Sequence, residues 1–511
     1  MPSPNLLLVN PWITDFAAYD FWLKPMGLLY LAAVLRREGY AVRLVDCTDR
    51  AHPALLEWQG LDRPAQQKWS TGKFVRTPIA KPVCYRNVPR IYARYGLPLE
   101  LFKKLCVEGE KPGAILVTSG MTYWYPGVQE AIAVLRELFP KTPIVLGGIY
   151  ATLCIEHARQ HSGADIVIAG EAEHLICDLV EAAARGNGAG ECPVAQASLP
   201  ADKRSALRFP LKIEGRPASE NFALADLPFP AFDLYPNLPY ATIMTSRGCP
   251  LKCTFCASRI VSGQYRWRSI ENVMAELDWL HTGLGVREFA FYDDALLTNR
   301  DRHFLPLCER IIAKNFHSTF HTPNGLQVKF IDANTAQLMW RAGFKTVRLA
   351  YESGSEERQR DMSKKVSNES FARGVAHLQA AGFGPHELDA YVLMGLPGQT
   401  LDEIILSMAY VHSLKVGIRL AAFSPIPGTV DFTRAVERGE IASDADPLLT
   451  NNSILPIRLN EENGAFARLA LLAKQLNTHL LQTGEVMDSF GDLVARLQAQ
   501  VHSRESWSIA R

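Results

Sequence analysis

Hydrophobic and polar positions fall into two alternating regions. In the first 185 residues, short continuous apolar runs alternate with stretches of helical period. The runs NLLLVN (5–10), YAVRLVD (40–46), AILVTSG (114–120), PIVLGG (143–148) and ADIVIAG (164–170) read as strands buried on both faces, as in a parallel sheet. Of the helical stretches between them, 27–39 ends at Gly39 and 171–186 at Gly186, while 126–140 opens on Pro126, whose missing N–H suits a first turn. This alternation predicts an α/β domain with a doubly wound parallel sheet over 1–185. It is interrupted over about 47–113, where no such pattern holds. Residues 186–240, rich in Gly, Pro and Ala, read as a linker.

A second alternating region begins at residue 241. ATIMTS (241–246), REFAFYD (287–293), STFHTPN (318–324), KTVRLAYE (345–352), LDAYVLM (388–394) and IRLAAFS (418–424) are separated mostly by helical stretches such as 270–283. Six β/α units predict an open or partial barrel over 241–435. Beyond it, 436–511 becomes helical, notably at 464–484, and is expected to pack or cap.

Composition narrows what such a fold serves. The 511 residues are 48% hydrophobic and 21% charged, enough for two or three cored domains. Lys plus Arg (54) nearly cancels Asp plus Glu (53), so no overall field draws the chain to nucleic acid or an anionic membrane. No leader pattern or run of about 18 apolar residues appears, and the ten cysteines are sparse and irregular. The expectation is a cytoplasmic protein with reduced thiols and no transmembrane segment.

Ligands of doubly wound sheets sit at the carboxyl ends of the strands. Those ends here carry Asn10-Pro11, Asp46, Ser119-Gly120, Gly147-Gly148 and Gly170-Glu171. Their glycines suit close approach of a ligand to backbone, and equally serve strand-to-helix turns. Within the interruption, residues 61–110 hold ten Lys/Arg against four Asp/Glu, interleaved with Trp69, Phe74, Tyr85, Tyr92, Tyr95 and Phe102. Two readings stay open for it, a lid over an anionic or aromatic ligand and a solvated surface insertion.

The densest chemistry is RGCPLKCTFC (247–256), which sets Cys249, Cys253 and Cys256 on one short stretch. A structural zinc site closes with four protein ligands, and no fourth is near: the next histidine downstream is His281, beyond a predicted helix. Iron–sulfur clusters are also held by thiolates, and three would leave one iron open. Cys249-x3-Cys253-x2-Cys256, with Phe255 before the last cysteine, resembles the signature of the radical S-adenosylmethionine (SAM) superfamily. Other candidate residues fall at the ends of the predicted barrel strands: Tyr292-Asp293-Asp294, Asn324, Glu352-Ser353-Gly354, Gly395 to Gly398, and Ser424 to Thr429.

The resemblance implies a 4Fe-4S cluster on Cys249, Cys253 and Cys256, whose open iron is chelated by SAM. Reductive cleavage of SAM would then give a 5'-deoxyadenosyl radical. By the same resemblance Tyr292, Asp293 and Asp294 meet the SAM amino group, with Asn324 beside them. Glu352 and Ser353 meet the ribose, and Gly395, Gly398 and Phe255 meet the adenine. A flavodoxin-like sheet before such a barrel resembles the cobalamin-binding branch of the superfamily, and implies cobalamin over Ser119, Gly120, Gly147, Gly148, Gly170 and Glu171. The Asp-x-His-x-x-Gly motif that supplies an axial histidine in some cobalamin proteins is missing, so base-off binding without a protein ligand is expected.

The function implied is cobalamin-dependent C-methylation of an unactivated carbon of a small-molecule or lipid-type substrate. The alternatives are a radical rearrangement or cyclisation without methyl transfer and a non-catalytic Fe–S module. An electron donor such as flavodoxin or ferredoxin is implied as partner. No cysteine follows Cys308, which weighs against an auxiliary cluster domain.

Overall fold

A computed structural model describes residues 5–65, 67–184, 211–214, 224–454 and 464–502. Its first sheet has six parallel strands, Leu6–Asn10, Val42–Asp46, Ala114–Val117, Ile144–Leu146, Ile166–Ala169 and Leu211–Glu214, lying in the order 2-1-3-4-5-6 when numbered along the chain. Leu7, Leu8 and Val9 are completely shielded, which is why these runs show no polar alternation. The direction of winding reverses between Leu6–Asn10 and Ala114–Val117, so the switch point lies by the ends Asn10 and Val117. Pro126 stands in the first turn of helix Tyr125–Leu138. The stretch 171–186 forms helix only from Ile176, leaving Glu171 and Glu173 on a loop.

Two sequence expectations change here. The stretch read as a linker contributes a strand, Leu211–Glu214, which pairs in parallel with Ile166–Ala169; four residues amid Gly and Pro are too few to reveal a period. The interruption is not a solvated insertion in its aromatic part: Tyr85, Tyr92 and Phe102 are at most 1% exposed. Its strands Arg76–Pro78 and Ala93–Tyr95 join Ile13–Asp15 in an antiparallel three-stranded sheet.

Packing divides the chain into two units, Met1–Cys249 with Ala257–Phe289 and Asp446–Ser453, and Pro250–Cys256 with Ala290–Ala445 and Ile454–Arg511. In the first, the late segment Asp446–Ser453 is bonded among much earlier residues. The Tyr85 hydroxyl donates to the Leu448 carbonyl at 2.6 Å, Tyr125 donates to Asp446 at 3.1 Å, Thr122 and Thr450 share a bond of 2.8 Å, and the Asn451 amide donates to Asp15 at 3.1 Å.

The second sheet has six strands in chain order, Ala241–Ile243, Glu288–Phe291, Thr319–Leu326, Phe344–Glu352, Leu388–Met394 and Gly417–Ala422. The last four pair in parallel, as the six-unit partial barrel requires. The edge strand Gly417–Ala422 is covered rather than left open: Asn477, on helix Ala465–Thr483, both accepts from the Ile418 N–H (2.7 Å) and donates to its carbonyl (2.8 Å). Among the described residues no helix is long and apolar enough to cross a membrane.

Candidate active site

The cysteine loop hangs from a narrow neck. Ser246–Arg247 and Arg266–Trp267 form a two-rung antiparallel ladder, so everything between, including the three cysteines, is one excursion of the chain. Gly248 opens it at φ +78°, where an added Cβ would lie 2.6 Å from the Gln264 carbonyl oxygen; no other residue fits there without displacing the neck. Cys249 and Cys253 are half-buried and Cys256 is exposed. Within the second unit, residues 252–254 are pinned: the Lys252 N–H donates to Ser363 Oγ (3.0 Å), the Cys253 thiol lies 3.8 Å from the Met362 carbonyl, and the Thr254 carbonyl accepts from the Asp431 N–H (3.0 Å).

Beside this loop stands a cation that the sequence did not single out. Ser363 and Lys364 both have positive φ, 64° and 49°, and the chain emerges from this tight turn with Lys365 directed inward. Its Nζ lies 2.9 Å from Glu352 Oε1, with the side chains 13% and 9% exposed. Burial pulls the Lys365 ammonium toward deprotonation, but Glu352 and then Cys253 outweigh it, with a smaller contribution from Cys256, and the net displacement is upward. Lys365 therefore stays charged beside the thiols. Glu352 ends its strand at an irregularity in the ladder and at φ 68°, a conformation that costs energy in a non-glycine residue and turns the carboxylate aside.

The other barrel-strand ends resolve into supports and openings. The Asn324 amide donates to the Tyr292 carbonyl (3.0 Å) and toward that of Asp293 (3.3 Å), tying two predicted site segments together. Asp293 is buried and Asp294 half-buried. Ser353 is fully buried, and its hydroxyl donates to Glu403 at 2.7 Å; Glu403 also meets Arg358 at 2.6 Å. Gly395 and Gly398 have φ of 85° and 67°. Gln399 braces their turn by accepting from the N–H groups of Gly395 and Leu396 (2.9 and 3.1 Å) and donating to the Leu393 carbonyl (3.0 Å). A Cβ on Gly395 would meet nothing within 4 Å, so space adjoins this backbone. Phe255 is half-buried on the cysteine loop.

In the first unit, the predicted strand-end residues are linked by hydrogen bonds. Ser119 Oγ donates to the Gly147 carbonyl (2.7 Å) and accepts from the Tyr150 N–H (3.2 Å); Thr152 Oγ1 donates to the Gly148 carbonyl (2.8 Å) and accepts from the Gly170 N–H (3.0 Å). The glycines are not equivalent. At Gly148 (φ +93°) a Cβ would sit 2.5 Å from the Ser119 carbonyl oxygen, whereas at Gly147 it would meet nothing within 4 Å. Gly120 is exposed and faces the Trp124 ring. Glu171 turns away from these ends, its carboxylate 2.6 Å from Arg266 and 3.3 Å from Arg247. Despite burial, hydrogen bonding to Arg266 and the charge of Arg247 hold it below the usual carboxylate range.

Both cofactor sites pass a chemical test on these residues. Three thiols in one loop, with no other side chain in the motif suited to iron, fit a cluster that keeps one iron open. Among the described residues no three His, Cys, Asp or Glu groups converge as ligands of a single metal ion. The clearance at Gly147, beside backbone that tolerates no bulk at Gly148, fits a flat, wide ligand over the strand ends.

The fold is that of a radical SAM enzyme with a B12-binding domain. Residues 243–411 match the Radical SAM superfamily and residues 106–180 the B12 binding domain, so the chain carries a radical SAM domain and a B12-binding domain. A 4Fe-4S cluster, SAM and cobalamin are the cofactors of these domains. Relatives include an uncharacterised methyltransferase, PH0819, of Pyrococcus horikoshii, 24% identical over 423 residues, covering 79% of this chain and 77% of the relative. The cytidylyl-2-hydroxyethylphosphonate methyltransferase of Streptomyces wedmorensis is 24% identical over 484 residues, covering 85% and 82%. Among solved structures, the radical SAM methyltransferase TsrM of Kitasatospora setae, with cobalamin and a 4Fe-4S cluster bound, shares the fold at TM-score 0.60 and 17% identity, over 85% of this chain and 78% of that one.

Proposed function

We propose that the protein is a cobalamin-dependent radical SAM methyltransferase that methylates an unactivated carbon of a small-molecule or lipid-type substrate. The observation that carries the reading is the pairing, in one chain, of the cysteine loop with strand ends that leave space at Gly147 within the B12-binding match. Relatives named as methyltransferases over most of their length support methyl transfer over rearrangement.

When bound, the cluster and cobalamin supply the electron that cleaves SAM and the methyl group that is passed on. The chain's own residues bind, orient and shield. Cys249, Cys253 and Cys256 hold the cluster as thiolates. Lys365, charged beside Cys253 and Cys256, is suited to the carboxylate of SAM. Glu352, freed from that cation in the loaded site, is suited to the ribose hydroxyls. The acidic side chains of Asp293 and Asp294 suit the ammonium of SAM, with Tyr292 and Asn324 as their frame. Gly395 and Gly398 offer backbone to the adenine, with Phe255 near it. Ser353 serves indirectly, by fixing Glu403. Ser119, Gly120, Gly147, Gly148 and Gly170 shape the floor for the corrin. A reducing cytoplasmic setting and a flavodoxin- or ferredoxin-type electron donor complete the reading.

The test begins with anaerobic reconstitution, exposure to hydroxocobalamin and desalting, with corrin and iron counted per chain. SAM labelled in its methyl group is then supplied with a reductant and candidate acceptors. Near-stoichiometric corrin, with label recovered in a carbon-bound methyl, is the expected result. Release of 5'-deoxyadenosine without corrin retention would overturn methyl transfer and leave a rearrangement.

A further inference from the structure

The neck of the cysteine loop poses an electrostatic problem. Arg247 and Arg266 are direct register partners across the two-rung ladder, and like charges in that relation repel. Both are also largely removed from water, their side chains 8% and 19% exposed. Two positive charges in so short a ladder would splay it open unless countered by charges equally shielded.

The counter-charges come from the loop after strand Ile166–Ala169. Glu173 Oε1 lies 2.7 Å from Arg247 Nη1, and Glu171 Oε1 lies 2.6 Å from Arg266 Nη2 and 3.3 Å from Arg247 Nη1. The two carboxylates are 7% and 11% exposed. Two arginines and two glutamates thus close a neutral, buried quartet, with Glu171 bridging both strands of the neck. The ring of Tyr30 backs it, 4.7 Å from the Arg247 guanidinium. All of these residues pack within the first unit. Arg247 is two residues from Cys249, and Gly248 between them admits no side chain, so displacement of Arg247 passes directly to the first cysteine.

We propose that Glu171 and Glu173 are positioning residues that clamp the neck of the cysteine loop through Arg247 and Arg266, so that a loop of the cobalamin-type domain sets the seat of the cluster. The proposal rests on the reading of Cys249, Cys253 and Cys256 as cluster ligands. It assigns Glu171 to the cluster loop in place of the corrin floor. Because Gly170, on the same loop, is bonded through Thr152 to Gly148, the clamp adjoins the corrin floor and shares its backbone.

The test uses the full chain with Glu171→Gln, Glu173→Gln, Glu173→Asp and Arg247→Lys substitutions. Circular dichroism and corrin retained per chain report folding. Two further readouts report the seat: the rate at which a chelator strips iron from the reconstituted protein, and the electron paramagnetic resonance spectrum of the reduced cluster with and without SAM. The Gln variants should keep corrin but lose iron roughly tenfold or more faster, as outer-shell substitutions do at metal sites, with an altered spectrum. Glu173→Asp and Arg247→Lys, which keep the charges, should recover most of the wild-type behaviour. If one Gln variant fails to fold, the other carries the comparison, because each removes a different carboxylate from the quartet. Wild-type iron loss and spectra in all folded variants would overturn the clamp, as would loss of corrin with the cluster unaltered. A wild-type chain that takes up no iron would instead overturn the cluster reading itself.

Discussion

Lys365 and Glu352 are 2.9 Å apart, a cation and an anion presented by two backbone segments that both adopt positive φ to bring them together. The pair holds opposite charges in a site expected to receive a zwitterionic ligand, so each partner stands in for part of that ligand until it arrives. Replacing Lys365 by Met leaves the Glu352 carboxylate shielded and unpaired. It should cost on the order of 2–3 kcal/mol, somewhat below the loss typical of a fully buried pair, measured by urea unfolding. SAM affinity should fall in parallel while iron per chain is unchanged. Undiminished SAM affinity would remove Lys365 from the site.

Removing all three thiols, by Cys249→Ala, Cys253→Ala and Cys256→Ala together, should abolish the iron-to-thiolate absorption of the reconstituted protein and its iron content. Far-ultraviolet circular dichroism should be retained. Iron bound at wild-type levels would locate the cluster elsewhere.

The two glycines of the front domain should part company. Gly148→Ala forces a Cβ to within 2.5 Å of a carbonyl oxygen at φ +93°, and should lower the melting temperature through backbone strain alone. Gly147→Leu enters open space. It should fold normally and lose corrin, read as cobalamin retained after desalting. Full retention by Gly147→Leu would move the corrin away from this strand end.

His412 predicts the pH response of the second unit. It is fully buried and accepts the Met487 N–H at 3.0 Å; burial, aided by His479, pulls its pKa down to about 4. In the unfolded chain it regains a value near 6.5. The unfolded state therefore binds the extra proton, and the stabilisation present above about pH 6.5 is lost as pH falls toward 4, by about 3 kcal/mol. His412→Gln should flatten that slope in urea titrations at pH 4.5 and 7.

How much of this was readable in the sequence depended on how each feature is encoded. The run LDAYVLM coincides with strand Leu388–Met394, because burial writes itself as an apolar stretch, broken here only by Asp389. The cysteine spacing was equally legible, since thiolates have few other uses at that density. Lys365 was not: in MSKKV it resembles any solvated lysine, and only the turn at Ser363 and Lys364 sends it inward. Ser353, read as facing a sugar, donates instead to Glu403, a distinction of rotamer and register that no spacing encodes. The insertion's positive charge pointed to a surface, but its Tyr85 and Tyr92 are buried against each other and Phe16. Glu173 passed unnoticed because its partner, Arg247, lies more than seventy positions away.

The bonds of Asp446–Ser453 to Asp15, Tyr85, Thr122 and Tyr125 also set a timetable. As the chain leaves the ribosome, the amino-terminal sheet can form early. Its Tyr125 hydroxyl and Asp15 carboxylate must wait for partners encoded more than three hundred residues later, after every barrel strand has been made. The front domain is thus finished only after the barrel strands are made, and a gene truncated just beyond the barrel would release a cofactor platform with its final fastening missing.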